Sequence, residues 1–247
     1  VILANQRERN QNIWHMGMEL WQTKLSIDSA RMALDPATNK PWFSEEQFSR
    51  SIVVIDDYDG PWDAAYEILT GTKPVKYQEF VATDECYDIV IPTRGWGSPF
   101  WVALLSDGHF TPCHGSNLMT AFVDSILRWL GLKERSPRDI HEHPNITIIQ
   151  RDTTRKIYDL DTKVAKLSEK FPKSIINVEN FSKISMKEQI RIIQETDILI
   201  GHHGAGMMHT IFLPRTAAAI EWLPPTFFNK AFRRVARMRG VTHFSPH

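Results

Sequence analysis

Four segments of the sequence combine residue types at spacings that can do chemistry. The first runs Asp197-Ile-Leu-Ile-Gly-His-His-Gly-Ala-Gly-Met-Met-His209. An apolar strand there enters a glycine-rich turn and then a helix. Glycines let the backbone approach a ligand closely, and the first turn of a helix offers unpaired N–H groups and a partial positive charge. The combination suits a phosphate, with His202, His203 and His209 as further donors. A tight strand-to-helix turn asks for the same glycines on backbone grounds alone. Three histidines also fit a metal, but no Asp, Glu or Cys ligand stands directly beside them.

The second segment is Ile148-Ile-Gln-Arg-Asp-Thr-Thr-Arg155. Guanidinium forks bind phosphate bidentately, so Arg151 and Arg155, at i and i+4 after a strand, can grip one diphosphate. Two solvated arginines at an element boundary read alike. Function is favoured because both segments fall at carboxyl ends of strands in the same half of the chain. The third is Asn12-Ile-Trp-His-Met-Gly-Met-Glu19. His15 and Glu19 share one helix face, and a His–Glu pair can serve as a general base, although surface pairs of this kind are frequent. The fourth is Ser51-Ile-Val-Val-Ile-Asp-Asp-Tyr-Asp-Gly60. Asp57 and Asp59 after a strand resemble the aspartyl-nucleophile loop of haloacid-dehalogenase-type phosphatases, or an Asp-x-Asp site for Mg²⁺ or Mn²⁺. Acidic residues that open a loop and cap a helix give the same pattern.

These segments need elements to position them. Val1–Asn5 reads as a strand, 13–34 as a helix ended by Asp35-Pro36, and Ser51–Ile55 as a strand buried on both faces. A helix at 62–69, strands at 77–81 and 87–92, and an amphipathic helix at 117–130 follow. Residues 133–144 are charged, hold two prolines and show no apolar period, as a linker would. Beyond it the pattern restarts with strands at 146–150, 174–177, 198–200 and 217–221. They alternate with helices at 158–171, 186–195, 205–212 and 229–239. Such alternation predicts βαβ units and a parallel sheet. The expected organisation is a first lobe over 1–132, a linker over 133–145 and a second lobe over 146–247, with a cleft between them. Ligands of such sheets sit beyond the carboxyl ends of the strands.

Lys plus Arg and Asp plus Glu both number 29, so no broad positive field for nucleic acid exists. No apolar run reaches the roughly 18 residues that span a bilayer. The chain opens with Val1, which is compatible with a membrane anchor removed from this fragment. Cys86 and Cys113 read from composition as buried thiols; if bonded, their loop would add about 3–4 kcal/mol. The sequons Asn145-Ile-Thr147 and Asn180-Phe-Ser182 lean toward a secretory compartment.

Taken in order, the segments resemble glycosyltransferase family 61, which includes N-acetylglucosaminyltransferases and plant xylosyltransferases. The resemblance begins at Asn12–Glu19 and passes through Cys86-Tyr-Asp-Ile-Val-Ile-Pro and Cys113. It continues through Gln150-Arg151-Asp-Thr-Thr-Arg155 and Ser185-Met-Lys-Glu-Gln-Ile190. It ends with Thr196-Asp-Ile-Leu-Ile-Gly-His-His-Gly-Ala-Gly206, His209, Phe212 and Ala219-Ile-Glu221-Trp-Leu-Pro224. Asp152 stands where the family tends to be basic, and Tyr158 near a usual Asn.

The resemblance implies a GT-B-like α/β fold of two Rossmann-like lobes. It implies inverting, metal-independent transfer from a UDP-sugar to a glycan or protein hydroxyl, with no cofactor, in the ER or Golgi lumen. Arg151, Arg155, His203, Gly204, Ala205, Gly206 and Glu221 would hold the donor, and His15 or Glu19 would be the base. A Cys86–Cys113 disulfide fits that oxidising lumen. The alternatives are a Mg²⁺-dependent phosphatase acting through Asp57 and Asp59, and a non-catalytic carbohydrate-binding module.

Overall fold

The computed structural model describes residues 2–7, 11–87, 90–94, 114–136, 139 and 141–246, with 2–6 and 91–94 in backbone only. The chain divides into two compact units, Val1–Val102 and Ala103–His247. Each is built on one parallel sheet, so the α/β class expected from the sequence holds.

In the first unit, β1 (Ile2–Gln6) leads to α1 (Ile13–Met32), whose first turn is capped by Asn12 Oδ1 accepting from the Trp14 N–H at 3.0 Å. Then come α2 (Glu45–Ser49), β2 (Ile52–Ile55), a 3-10 turn over Asp63–Tyr66, α3 (Glu67–Thr70), β3 (Val75–Lys76), α4 (Tyr77–Val81) and β4 (Val90–Arg94). The sheet order is β3-β2-β1-β4. The core gathers Trp14, Met18, Leu20 and Trp21 of α1, Val53 and Ile55 of β2, and Trp62 and Tyr66.

Residues 77–81 form a helix where the sequence reading expects a strand. Tyr77, Phe80 and Val81 stand at i, i+3 and i+4, a helical spacing. Asp57 Oδ1 also accepts from the Gln78 N–H at 2.8 Å and pins the first turn. The strand pairing stops two residues after Val75 begins it.

The second unit holds α5 (Asn117–Trp129), β5 (Asn145–Ile149), α6 (Leu160–Lys170), β6 (Ile175–Glu179) and α7 (Met186–Gln194). It continues with β7 (Ile198–His202), a 3-10 helix over Ala205–Phe212, β8 (Ala218–Trp222), α8 (Ala231–Arg239) and β9 (Thr242–Phe244). The sheet order is β6-β5-β7-β8-β9. The chain first builds outward from β5 to β6, then returns to the other side of β5. The direction of winding reverses between β5 and β7, the place where sheets of this kind bind their ligands. Ile146, Ile148 and Ile157 form a cluster against which Leu160, Val164 and Leu167 of α6 pack.

The boundary between the units differs from the expected linker. Helix α5 buries Met119, Phe122, Val123 and Ile126 completely and packs on the 3-10 helix and α8, so it belongs to the second unit. Within 133–145, Glu134, Arg135 and His141 are tied to the same unit by their side chains. Glu134 meets the Arg239 guanidinium at 2.6 Å, while Arg135 and His141 meet the Asp197 carboxylate at 2.5 and 2.7 Å. The polar composition that reads as a linker is that of a segment clamped by its charges.

Both sequon asparagines lie at the ends of strands. Asn145 opens β5 and donates Nδ2–H to Glu195 O at 3.1 Å, and Asn180 Nδ2 is buried. No helix among the described residues is long and apolar enough to cross a membrane.

Candidate functional site at the winding reversal

Strand β5 delivers the chain to Gln150, whose side chain staples the loop that follows. Gln150 Oε1 accepts from the N–H groups of Arg151 and Ile157 at 3.2 and 3.0 Å, and Nε2 donates to Ile157 O at 3.1 Å. The loop 151–157 is thereby a closed bracket. Arg155 adopts φ 57°, a left-handed conformation that a bulky residue enters at a cost of about 1–2 kcal/mol. That turn directs its guanidinium across to β7, where Nη1 donates to His203 O at 2.7 Å.

Strand β7 ends at His202, and the turn beyond it contains Gly204 with φ 156° and ψ −179°. A Cβ built on Gly204 would lie 2.6 Å from Arg155 Nη1 and 3.0 Å from Arg151 Nη1. Both guanidinium groups therefore rest against one glycine, and any side chain there would displace them. Burial, and then the neighbouring Arg155 charge, push the Arg151 guanidinium below its usual pKa. Two cations held together repel, and a bound anion removes that repulsion. Ala205 opens the 3-10 helix, and a Cβ on Gly206 would come to 3.3 Å from Ile149, so this turn packs tightly onto β5. The helix is 3-10 rather than α. Its first N–H groups still fall outside its own ladder.

Of the donor-site residues expected from the sequence, the structure brings together Arg151, Arg155, His203, Gly204, Ala205 and Gly206. Glu221 faces inward. It is 1 % exposed, and its two oxygens meet His203 Nδ1 at 2.5 Å and His243 Nε2 at 2.9 Å. Burial raises the Glu221 carboxyl, but the hydrogen bonds from His203 and His243 outweigh it and hold the group below its usual pKa. The His203 ring lies between Phe227 and Phe232, with centroids 4.6 and 5.2 Å away. His209 is wholly buried, with Nδ1 2.9 Å from Gly206 O and Nε2 2.8 Å from Gln189 Oε1. Both partners are acceptors, so the neutral ring satisfies only one. Burial drives its pKa down to about 4, and the ring is a structural link between α7 and the turn. His202 lies edge-on to Trp222, 5.5 Å away.

Sequence reasoning missed Gln150 and His243 as members of this site. Gln150 carries no chemical signature, and His243 stands on β9, a strand of three residues that shows no apolar run.

In the first unit, His15 is partly buried, and burial lowers its pKa. Glu19 is 1 % exposed, and burial raises its pKa to about 8, against the pull of Arg7 and with a smaller push from Asp56. Glu19 is therefore protonated at neutral pH in the folded chain and ionised in the unfolded one. Stability from this group is full below its unfolded pKa and is lost as pH rises toward 8. The expected outcome is a fall on the order of 3 kcal/mol between pH 5 and pH 8 in denaturant unfolding, largely absent in Glu19→Gln.

The acidic loop after β2 is occupied by its own neighbours. Asp56 and Asp63 pair with the buried Arg7, Asp57 caps α4, and the exposed Asp59 lies 3.3 Å from Lys76 Nζ. The loop opens and caps, as the plainer reading of its sequence has it. Cys86 is exposed rather than buried, and Cys113 falls outside the described residues, so the pairing of the two does as well.

Comparison with known proteins bears on the same turn. The family model described as Glycosyltransferase 61 matches residues 104–220, which take in Arg151, Arg155 and the whole glycine turn. Over that stretch the chain is similar to glycosyltransferase family 61. Among its relatives is the EGF domain-specific O-linked N-acetylglucosamine transferase of Gallus gallus, 28% identical over 200 residues, covering 80% of this chain and 34% of that protein. The protein of that name from Canis lupus familiaris is 32% identical over 200 residues, with the same coverage of 80% and 34%. That from Drosophila melanogaster is 33% identical over 132 residues, covering 53% of this chain and 24% of the relative. The chain thus spans about a third of the length of the curated relatives it matches. The match to this family favours neither the phosphatase reading nor the non-catalytic one.

Proposed function

We propose that this chain carries the catalytic machinery of an inverting, metal-independent glycosyltransferase that uses a UDP-sugar. Its two sheets are read as the lobes of a GT-B fold, the second as the donor lobe. One observation carries the reading: two guanidinium groups converge on Gly204 at the point where the winding of the second sheet reverses. An acceptor hydroxyl attacks the anomeric carbon in line, the bond to the diphosphate breaks, and UDP leaves with growing negative charge. Arg151, Arg155 and the N–H groups opening the 3-10 helix stabilise that charge more in the transition state than before it. Cations fixed on the protein supply what a divalent ion supplies elsewhere.

The names of the relatives make N-acetylglucosamine the first donor sugar to test and an EGF-domain hydroxyl the first acceptor; the ER or Golgi lumen is kept as the compartment that the sequence resemblance implies. Of the two base candidates, His15 fits better, because it is neutral at pH 7 while Glu19 already holds a proton. Transfer from UDP-N-acetylglucosamine to an EGF domain is expected to persist in EDTA. His15→Ala should lower kcat by about a hundredfold or more with UDP affinity unchanged. The wild-type rate should fall only as pH drops below 6.5, because burial lowers the pKa of the ring. Turnover that stops in EDTA and returns with Mn²⁺ would refute the metal-independent mechanism.

A further inference from the structure

His203, Glu221 and His243 form a chain of hydrogen bonds across three adjacent strands. Glu221 stands on β8 in register with Gly201 of β7, while His243 on β9 is in register with Ala219 of β8. The His203 N–H donates to Trp222 O at 2.8 Å, which prolongs the β7–β8 ladder by one residue and fixes the base of the ring. Two aromatic rings then wall the imidazole in. The side chains of Glu221 and His243 are 1% and 4% exposed, that of His203 12%. The relay thus runs from the interior to the glycine turn, and His203 Nε2 meets no partner among the described residues.

We propose that His243, acting through Glu221, is a positioning residue that holds His203 with its Nδ1 proton turned inward and Nε2 turned to the donor diphosphate. The reading rests on the donor site proposed above. A buried carboxylate keeps its charge only when both oxygens are satisfied. His203 Nδ1–H serves Oε1 and His243 Nε2–H serves Oε2. His243 is placed in turn by Ser245 Oγ, 3.4 Å from its Nδ1. With Glu221 anionic, His203 Nδ1 must be the protonated nitrogen. When a diphosphate enters beside Arg155, which is bonded to His203 O, and Arg151, Nε2 takes a proton from solvent and donates a hydrogen bond to a phosphate oxygen. The result is a charge-assisted bond at each end of one imidazolium.

Loss of His243 leaves Glu221 Oε2 without its donor. The carboxyl then takes a proton, donates it to His203 Nδ1, and shifts the ring proton to Nε2. The bond to phosphate becomes one between neutral partners on the protein side. UDP affinity should fall about tenfold.

The test is nitrogen NMR of ¹⁵N-histidine-labelled chain, with UDP as the probe. In the wild type, His203 should show a protonated Nδ1 and a bare Nε2, and UDP should protonate Nε2 without disturbing Nδ1. His243→Phe should move the free-state proton to Nε2, and His243→Gln, which keeps an N–H near the same place, should restore the wild-type pattern and affinity. A wild-type His203 protonated at Nε2, or an Nε2 that stays bare with UDP bound, would overturn the proposal without any variant having to fold. So would a His243→Phe chain that keeps both the wild-type pattern and the wild-type affinity. A protonated Nδ1 in a chain that binds no UDP would sink the donor-site reading and leave the inward relay standing.

Discussion

Arg151→Ala is expected to weaken UDP binding by about a hundredfold while leaving the fold at least as stable as before. The first half follows from what the guanidinium does. It stands half-buried against Gly204 beside Arg155, where a diphosphate oxygen would meet a fork of N–H donors. Hydrogen bonds between charged partners contribute about 1.5–3 kcal/mol each, and a bidentate contact makes two. Even with partial compensation by solvent, about 3 kcal/mol is lost, which is near a hundredfold in Kd. The second half follows from what the guanidinium costs. Burial and Arg155 both act against its charge, so the free protein holds it at some expense, and its removal relieves that. Arg151→Lys should fall between, because an ammonium keeps the charge without the fork. Calorimetric titration with UDP and a thermal melt of the same preparations decide the matter. Affinity at the wild-type level would end the donor-site assignment. Affinity lost together with several degrees of melting temperature would make Arg151 a structural residue instead.

Much of this site could be read from residue order alone, for a physical reason. A parallel sheet brings the carboxyl ends of its strands to one edge, so residues just after successive strands become neighbours although far apart in the chain. The apolar runs at 146–149 and 198–200 marked two such strands, and Arg151, Arg155 and Gly204 followed at the right offsets. What stayed hidden was decided by contacts with no local signature. Glu221 follows an apolar run just as the arginines do. Its bonds to His203 and to His243 on the neighbouring strand hold its carboxylate inward. The short segment 77–81 became a helix because Asp57, some twenty residues earlier, caps it. The boundary between units was hidden by Glu134, Arg135 and His141, polar residues that look solvated until their partners Arg239 and Asp197 are seen. Apolar periodicity reports which face of an element is buried. It is silent on where a polar side chain finds its counter-charge.

Gly204→Ala is expected to cost as much donor affinity as the loss of an arginine, through a methyl group that touches no ligand. Two separate effects act. The backbone at φ 156° and ψ −179° lies in a region that is essentially glycine's alone, so alanine there costs about 1–3 kcal/mol of stability. The Cβ would also stand 2.6 Å from Arg155 Nη1 and 3.0 Å from Arg151 Nη1, inside the contact distance of both. Those guanidinium groups end flexible side chains, so they swing away rather than unfold the turn, and the cationic pair disperses. Displacement of a positioned group by about 1 Å is enough to cost on the order of a hundredfold in such sites. The two effects can be separated by a double-mutant cycle. In an Arg155→Ala background the shorter clash is gone, so Gly204→Ala should there cost less UDP affinity than in the wild type, while its cost in unfolding free energy stays the same. Strictly additive losses in affinity would mean that the arginines and the glycine act apart. The convergence on which the donor site is built would then have no energetic counterpart.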